Sequence, residues 1–395
     1  MGRSTTRSHG GLLDITRGVP LSIGDVGWST AMIPCKPEAR SGGEPRVEFV
    51  YTIRGYALLW VVLDHAVAFT EGSFDLVVGP GNRSLYNVVD DMTEGTRLPI
   101  LMFLAALFVE RGFNAGARSF ITKRMQYLVW PWLLWTLVTI LVLATANKLG
   151  DELSTAQFDD LLSMWWKPQY QTWFLYDLIV YNVVYLAARA VDRRLVLAVA
   201  VALFAASFWL GDMQMSSLVG KGIRHYGRFF LFYWLGIMLS RWVLSRRVEQ
   251  ERLLLVACLA AFLLLAVPPV LMDTARWHTT AIASALPALP LMLWLGPRLA
   301  ATPLCAPLGW VGRASLLILC LHLIPVWALV VGTRRLGIDD PTLVALLSTI
   351  GAIAFCYGID RLTQSTGVSP LLGFALRAQR TAVRPAKTST AAAHR

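Results

Sequence analysis

Residues 54–66 read RGYALLWVVLDHA, so an arginine, an aspartate and a histidine interrupt an otherwise oily stretch. Arg54 and His65 are eleven positions apart, and eleven helical steps of about 100° return to within about 20° of the starting direction. On a helix the two share one face, with Cα atoms about 16 Å apart along the axis, too far for a simple ion pair. A face that carries both lines a polar passage. Histidine titrates near neutral pH, and a hydroxyl attacking a thioester must lose its proton as it attacks, so His65 suits the part of general base. Asp64 falls roughly 80° from the Arg54 face and is assigned to a neighbouring helix rather than to orienting His65. A second reading stays open, in which Arg54 snorkels to the inner headgroups and His65 hydrogen-bonds another helix.

Two more ionisable residues fall at similar depth. In TWFLYDLIVY, Asp177 follows Trp173 by four residues on one helical face, and His322 sits midway along SLLILCLHLIP. Each alone is more often a structural hydrogen-bonder than a catalyst, but three such groups in one layer of a bilayer point to a shared cavity. In FITKRMQYLVWP, Lys123 and Arg124 reach the inner mouth just before Pro131. They suit positive-inside anchoring and, equally, the phosphates of a nucleotide-bearing donor such as coenzyme A.

These residues need a membrane scaffold to position them. The chain has 395 residues, 55% hydrophobic and 15% charged, with mean hydropathy +0.53. Its apolar residues come in blocks near 50–70, 97–110, 125–147, 173–190, 195–211, 226–245, 253–271, 278–299, 310–332 and 342–362. A helix crosses hydrocarbon in about 20 residues, so the expected fold is all-α: a polytopic transmembrane bundle of about ten helices. With both termini cytoplasmic, Arg111, Arg118, Lys123, Arg124, Arg193 and Arg194 lie in inner loops, and the basic segment 377–387 also falls inside. The two long outer loops are acidic, with Glu71, Asp75, Asp90, Asp91 and Glu94 in the first and Asp151, Glu152, Asp159 and Asp160 in the second. Both are long enough to fold over a site.

The expected organisation is a disordered cytoplasmic tail over 1–45, a membrane domain over 46–362 and a basic cytoplasmic tail over 363–395. The opening MGRSTT fits the N-myristoylation pattern at Gly2, a pattern short enough to arise by chance. The net charge of +11 is explained by membrane orientation, so no nucleic-acid partner is expected. Cys35, Cys258, Cys305, Cys320 and Cys356 lie far apart, without C-x-x-C or a His/Cys cluster, so neither a disulfide framework nor a metal site is indicated.

Six blocks in order, RGYALLWVVLDHA, RLPILMFLAALFVERGF, FITKRMQYLVWPWLLW, TWFLYDLIVY, FFLFYWLGIML and LGWVGRASLLILCLHLIP, resemble the membrane acyltransferase-3 family of bacterial O-acyltransferases over about residues 46–362. The resemblance implies transfer of a small acyl group, of the acetyl or succinyl class, from cytoplasmic acyl-CoA to a hydroxyl of an envelope glycan, glycolipid or secondary metabolite. It implies a multi-pass protein of the inner or plasma membrane, with acyl-CoA as donor substrate and no bound cofactor. It places function on the first-helix pair, Arg54 and His65, on Trp173, Phe174 and Leu175, and on His322. Lys123, Arg124, Trp173, Asp177 and His322 are the expected substrate-binding set. Four positions depart from the family pattern: Tyr51 where an Asp is frequent, Ala105 and Ala106 in place of Ser-Gly, and Tyr127 in place of a third basic residue. The rival reading is a carrier or flippase whose intramembrane charges line a route without chemistry.

Overall fold

The described residues of the ten apolar blocks fold as helices or runs of helices, as hydrocarbon requires of backbone groups that find no water to bond. A computed structural model describes residues 48–74, 85–151, 153–167, 170–212, 218–245, 252–271 and 282–374, all within one unit spanning 30–376. The helices are α1 (Glu48–Ser73), α2 (Leu85–Ala106), α3 (Val109–Asn114), α4 (Ala117–Arg124), α5 (Trp130–Lys148), α6 (Asp160–Ser163), α7 (Trp173–Ala188), α8 (Arg193–Asp212), α9 (Leu218–Leu244) and α10 (Arg252–Leu271). They continue as α11 (Ala285–Ala300), α12 (Cys305–Arg313), α13 (Ser315–Leu321), α14 (Leu323–Arg335) and α15 (Pro341–Thr366). No strand occurs among the described residues.

Among the described residues, three helical stretches are long and apolar enough to cross a membrane: Glu48–Ser73, Ala117–Lys148 and Pro341–Thr366. The pair α13 and α14, bent by 49°, makes up to four. Most other blocks fall short for visible reasons. Arg97 and Pro99 interrupt α2, α7 and α11 have 16 residues each, and α9 carries Arg228 and Arg241.

The first helix lies at the centre, packed against α2, α11, α12, α14 and α15. Its closest neighbour is α12, and glycines allow the approach. A Cβ at Gly55 would fall inside the Leu308 carbonyl oxygen, and one at Gly312 inside that of Tyr51. Each helix thus offers a glycine to the other's backbone. The Tyr51 departure lies at this seam and uses its carbonyl there. On α2, Ala106 is buried opposite Gly236 of α9, where a Cβ would meet it. The small residue at 106 therefore keeps a tight α2–α9 crossing.

Between α4 and α5 the chain widens into a π turn over Met125–Val129. Pro131 has no N–H to give the Tyr127 carbonyl, so the regular i to i−4 ladder fails at this point, and a π turn is one way a helix absorbs such a gap.

The membrane domain is expected to end at 362, within the last described helix. Helix α15 runs to Thr366 and closes at Gly367 in the left-handed conformation, and residues 368–374 then return to α5. Trp130 Nε1 donates to Leu371 O at 2.9 Å and Trp135 Nε1 to Leu372 O at 3.1 Å, while Phe374 stacks on Trp135. Two indole donors inside a helix thereby find acceptors that the helix itself lacks. The expected tail over 1–45, Gly2 included, and residues 375–395 of the expected tail over 363–395 lie outside the described residues, as do Asp75, Glu152 and the side chains of Asp90, Asp91 and Glu94.

Candidate active site

The helix bend at His322 puts two histidines face to face. The rings of His65 on α1 and His322, between α13 and α14, are parallel to within 3° with centroids 5.2 Å apart. The helical turn places Nδ1 of His322 2.7 Å from Ile318 O. A carbonyl can only accept, so Nδ1 carries the hydrogen and Nε2 keeps a lone pair. That Nε2 is buried and has no hydrogen-bond partner among the described residues. A buried acceptor without a donor suits a site that receives a proton-bearing group.

His65 is half-buried. Its Nδ1 lies 4.0 Å from Oδ2 of Asp64, and Oδ1 of Asp64 lies 3.9 Å from Nη1 of Arg97 on α2. Assigning Asp64 to another helix is thus half the account, because its carboxylate stands between that helix and His65. Arg97 itself is only 4% exposed and donates to Trp60 O at 3.1 Å. It opens the RLPILMFLAALFVERGF block, yet composition gives it no role, since an arginine at a helix start reads as an interfacial anchor.

The loop between α5 and α7 is tied down beside this pair. Gln171 of the turn Tyr170–Thr172 donates to Thr139 Oγ1 on α5 at 3.0 Å and to Cys320 O at 2.9 Å, two residues before His322. Asp151 accepts from Trp327 Nε1 at 2.7 Å, and Asp160 accepts from the Tyr170 hydroxyl at 2.9 Å. Phe69, one turn beyond His65, packs like Tyr170 and Trp327 against the cluster of Leu143, Ala144, Ala156 and Leu323. Asp151 and Asp160 therefore serve as acceptors that fasten it. Burial, and then its bond to Asp160, push the Tyr170 hydroxyl above the ordinary phenol range, so it stays a donor at any physiological pH. Tyr170 also adopts φ +44, a left-handed conformation that costs a bulky residue about 1–2 kcal/mol and persists because these contacts over-determine it.

The remaining expected site residues disperse around the pair. Trp173, two residues after Gln171, packs its ring 5.5 Å from Phe229 of α9. Asp177 is fully buried and faces Tyr181 and Tyr226, so it joins a tyrosine cluster between α7 and α9. Arg54 donates to Leu104 O near the end of α2 at 3.3 Å, about three helical turns from His65. Lys123 is half-buried, and Arg124 lies 4.9 Å over the Phe120 ring and faces Tyr233 of α9, whose buried hydroxyl has no hydrogen-bond partner among the described residues. No group of three or more His, Cys, Asp or Glu side chains among the described residues is placed to hold a metal ion.

The helices that carry these groups all lie inside one matched region: the family model described as an acyltransferase domain covers residues 48–361. The chain belongs to the acyltransferase-3 family. No curated protein and no solved structure matches it in turn. Membership makes the chain one of a family of acyltransferases, and its apolar helices agree with a place in a membrane.

Proposed function

We propose that this acyltransferase-3 chain is an integral-membrane O-acyltransferase that moves a small acyl group, acetyl or succinyl in class, from cytoplasmic acyl-CoA to a hydroxyl of an envelope glycan, glycolipid or secondary metabolite. The observation that carries the reading is the stacked His65–His322 pair, set in a helical interior beside a fastened loop. In this scheme the acceptor oxygen attacks the thioester carbonyl while His65 takes its proton. The tetrahedral intermediate then collapses, the carbon–sulfur bond breaks, and the proton passes from His65 to the departing sulfur. Nε2 of His322 accepts a hydrogen bond from a second hydroxyl of the acceptor and so positions the one that attacks. About ten spans with both termini cytoplasmic would set Arg54, Lys123 and Arg124 on the donor side and the histidines towards the acceptor side. The unsatisfied Tyr233 hydroxyl beside Arg124 supports a donor pocket there, since a phosphate oxygen would satisfy both. The inner or plasma membrane is the corresponding location.

Mass spectrometry of envelope glycans and glycolipids from a deletion strain tests the reading. Loss of one acyl group, restored by the wild-type gene, is the expected result. Unchanged acylation together with lipid retained on the inner face would overturn it in favour of a carrier.

The donor side makes its own prediction. Arginine holds phosphate through paired donors of fixed geometry that lysine does not reproduce, so Arg54→Lys should insert and fold normally yet raise the KM for acyl-CoA about tenfold, the equivalent of losing one charge-assisted hydrogen bond. Arg124→Lys should do the same more weakly. Initial rates of thiol release against acyl-CoA concentration measure both; donor kinetics equal to wild type in Arg54→Lys would leave the residue as an anchor of charge alone.

A further inference from the structure

Asp64 divides its two carboxylate oxygens between two cations-in-waiting: Oδ1 lies 3.9 Å from the Arg97 guanidinium and Oδ2 lies 4.0 Å from Nδ1 of His65. The Arg97 bond to Trp60 O, one turn earlier on α1, fixes the guanidinium alongside Asp64. Neighbouring residues on a helix do not normally face each other, so this arrangement exists because α2 delivers a buried arginine to that spot.

We propose that Asp64 is a positioning residue: held by Arg97, its carboxylate accepts the Nδ1 proton of His65 in the working complex and so leaves Nε2 as the lone pair that receives the acceptor's proton. The proposal rests on the reading of His65 as the base. Several facts favour it. The partner ring, His322, has the same tautomer imposed by a carbonyl, Ile318 O; on His65 the equivalent nitrogen faces a carboxylate instead. A carboxylate also stabilises the imidazolium that exists between the two proton transfers, whereas a neutral carbonyl does so weakly. A lone carboxylate at this depth is costly, and the Arg97 charge offsets it. The present separation is longer than a hydrogen bond, and such catalytic bonds commonly tighten when substrate arrives. Through the cycle the proton moves from acceptor oxygen to His65 Nε2 and then to the thiolate sulfur, while Asp64 stays ionised. The charged and titratable groups around His65 in this account are Asp64 on its own helix, Arg97 on α2 and His322 at the α13–α14 bend.

The test uses the purified full-length protein in lipid nanodiscs and two readouts. First, carbethoxylation of His65 by diethyl pyrocarbonate, followed peptide by peptide in mass spectrometry at a pH of about 8 where free imidazole is neutral, should slow severalfold in Asp64→Asn and keep its wild-type rate in Asp64→Glu. Second, Asp64→Asn should lower kcat for acyl transfer by about 10²-fold with the donor KM within about twofold, the pattern of a transition-state effect. Arg97→Gln should lower kcat as well, and the double variant should be no worse than Asp64→Asn alone, since the two act as one unit. Wild-type His65 reactivity in Asp64→Asn, or losses from Asp64→Asn and Arg97→Gln that add in full, would overturn the proposal. Failure of the base reading itself shows elsewhere, as undiminished turnover in His65→Ala. The two are thereby distinguished.

Discussion

Replacing His65 with alanine is expected to lower acyl transfer by about 10²–10⁴-fold, the usual worth of a positioned general base, while leaving folded yield and acyl-CoA binding near wild type. The expectation of intact folding comes from the surroundings of His65. Its side chain is 30% exposed, its ring neighbour among the described residues is His322, and α1 is held chiefly by contacts elsewhere along its length, at Gly55 with Leu308 and at Arg54 with Leu104. Truncation removes the proton acceptor and little packing. His322→Phe is the companion variant: it keeps a ring to stack on His65 but removes Nε2, so it should lose much of the activity, with a smaller effect on stability. Thiol release and acyl-acceptor formation, measured on variants matched for monodispersity in detergent, check both. Turnover of His65→Ala within about threefold of wild type, set against the loss a base should cause, would remove His65 from the chemistry and return it to helix–helix bonding.

The second large effect is structural. Gly55→Ala or Gly312→Ala should destabilise the fold by upwards of about 3 kcal/mol, the upper end of overpacking costs, and sharply reduce the yield of folded protein. In most overpacked cores a neighbouring side chain rotates away. Here the obstacle is backbone: the new methyl would meet Leu308 O in one case and Tyr51 O in the other, so α1 and α12 must part along the seam. Separation would also loosen the ion pair between Arg313 and Glu48, 3.1 Å apart, that closes the same interface. Gly332→Ala is the matched control, since a Cβ there meets nothing within 4 Å and the substitution in a helix interior should be neutral or stabilise by about 0.5–1 kcal/mol. Thermal unfolding in detergent, followed by size-exclusion fluorescence, compares the three. Equal midpoints for Gly312→Ala and Gly332→Ala would show that the seam opens at little cost.

Family membership says what class of enzyme the chain belongs to, and the geometry supports the proposal of which residues carry out the steps. The expected substrate set separates into parts with different neighbours: His322 joins His65, Trp173 flanks the loop anchored by Gln171, and Asp177 belongs to the tyrosine cluster of α7 and α9. Gln171 and Arg97, which no motif emphasised, are among the most buried polar side chains near the histidines. Buried polar groups of this kind leave one trace in a sequence, a polar residue beside an aromatic block, and Gln171 before TWFLYDLIVY carries that trace.

By itself the sequence determined what depends on composition and on short-range period. Oily blocks of bilayer length must be helical because hydrocarbon leaves the backbone no other partner. An eleven-residue interval must return Arg54 and His65 to one face because the helix has a fixed pitch. Pro131 must break the ladder near Lys123 and Arg124 because it has no N–H to give. Hydropathy also sets the depth of a residue along its helix axis. It leaves undetermined the rotation of each helix about that axis and the identity of its neighbour, since lipid tails and packed side chains are equally apolar and only close fit distinguishes them. Those were decided by the tertiary structure: glycines that admit a carbonyl at Gly55 and Gly312 fix how α1 turns, and with that rotation His65 meets a ring 257 positions later in the chain while Asp64 meets Arg97.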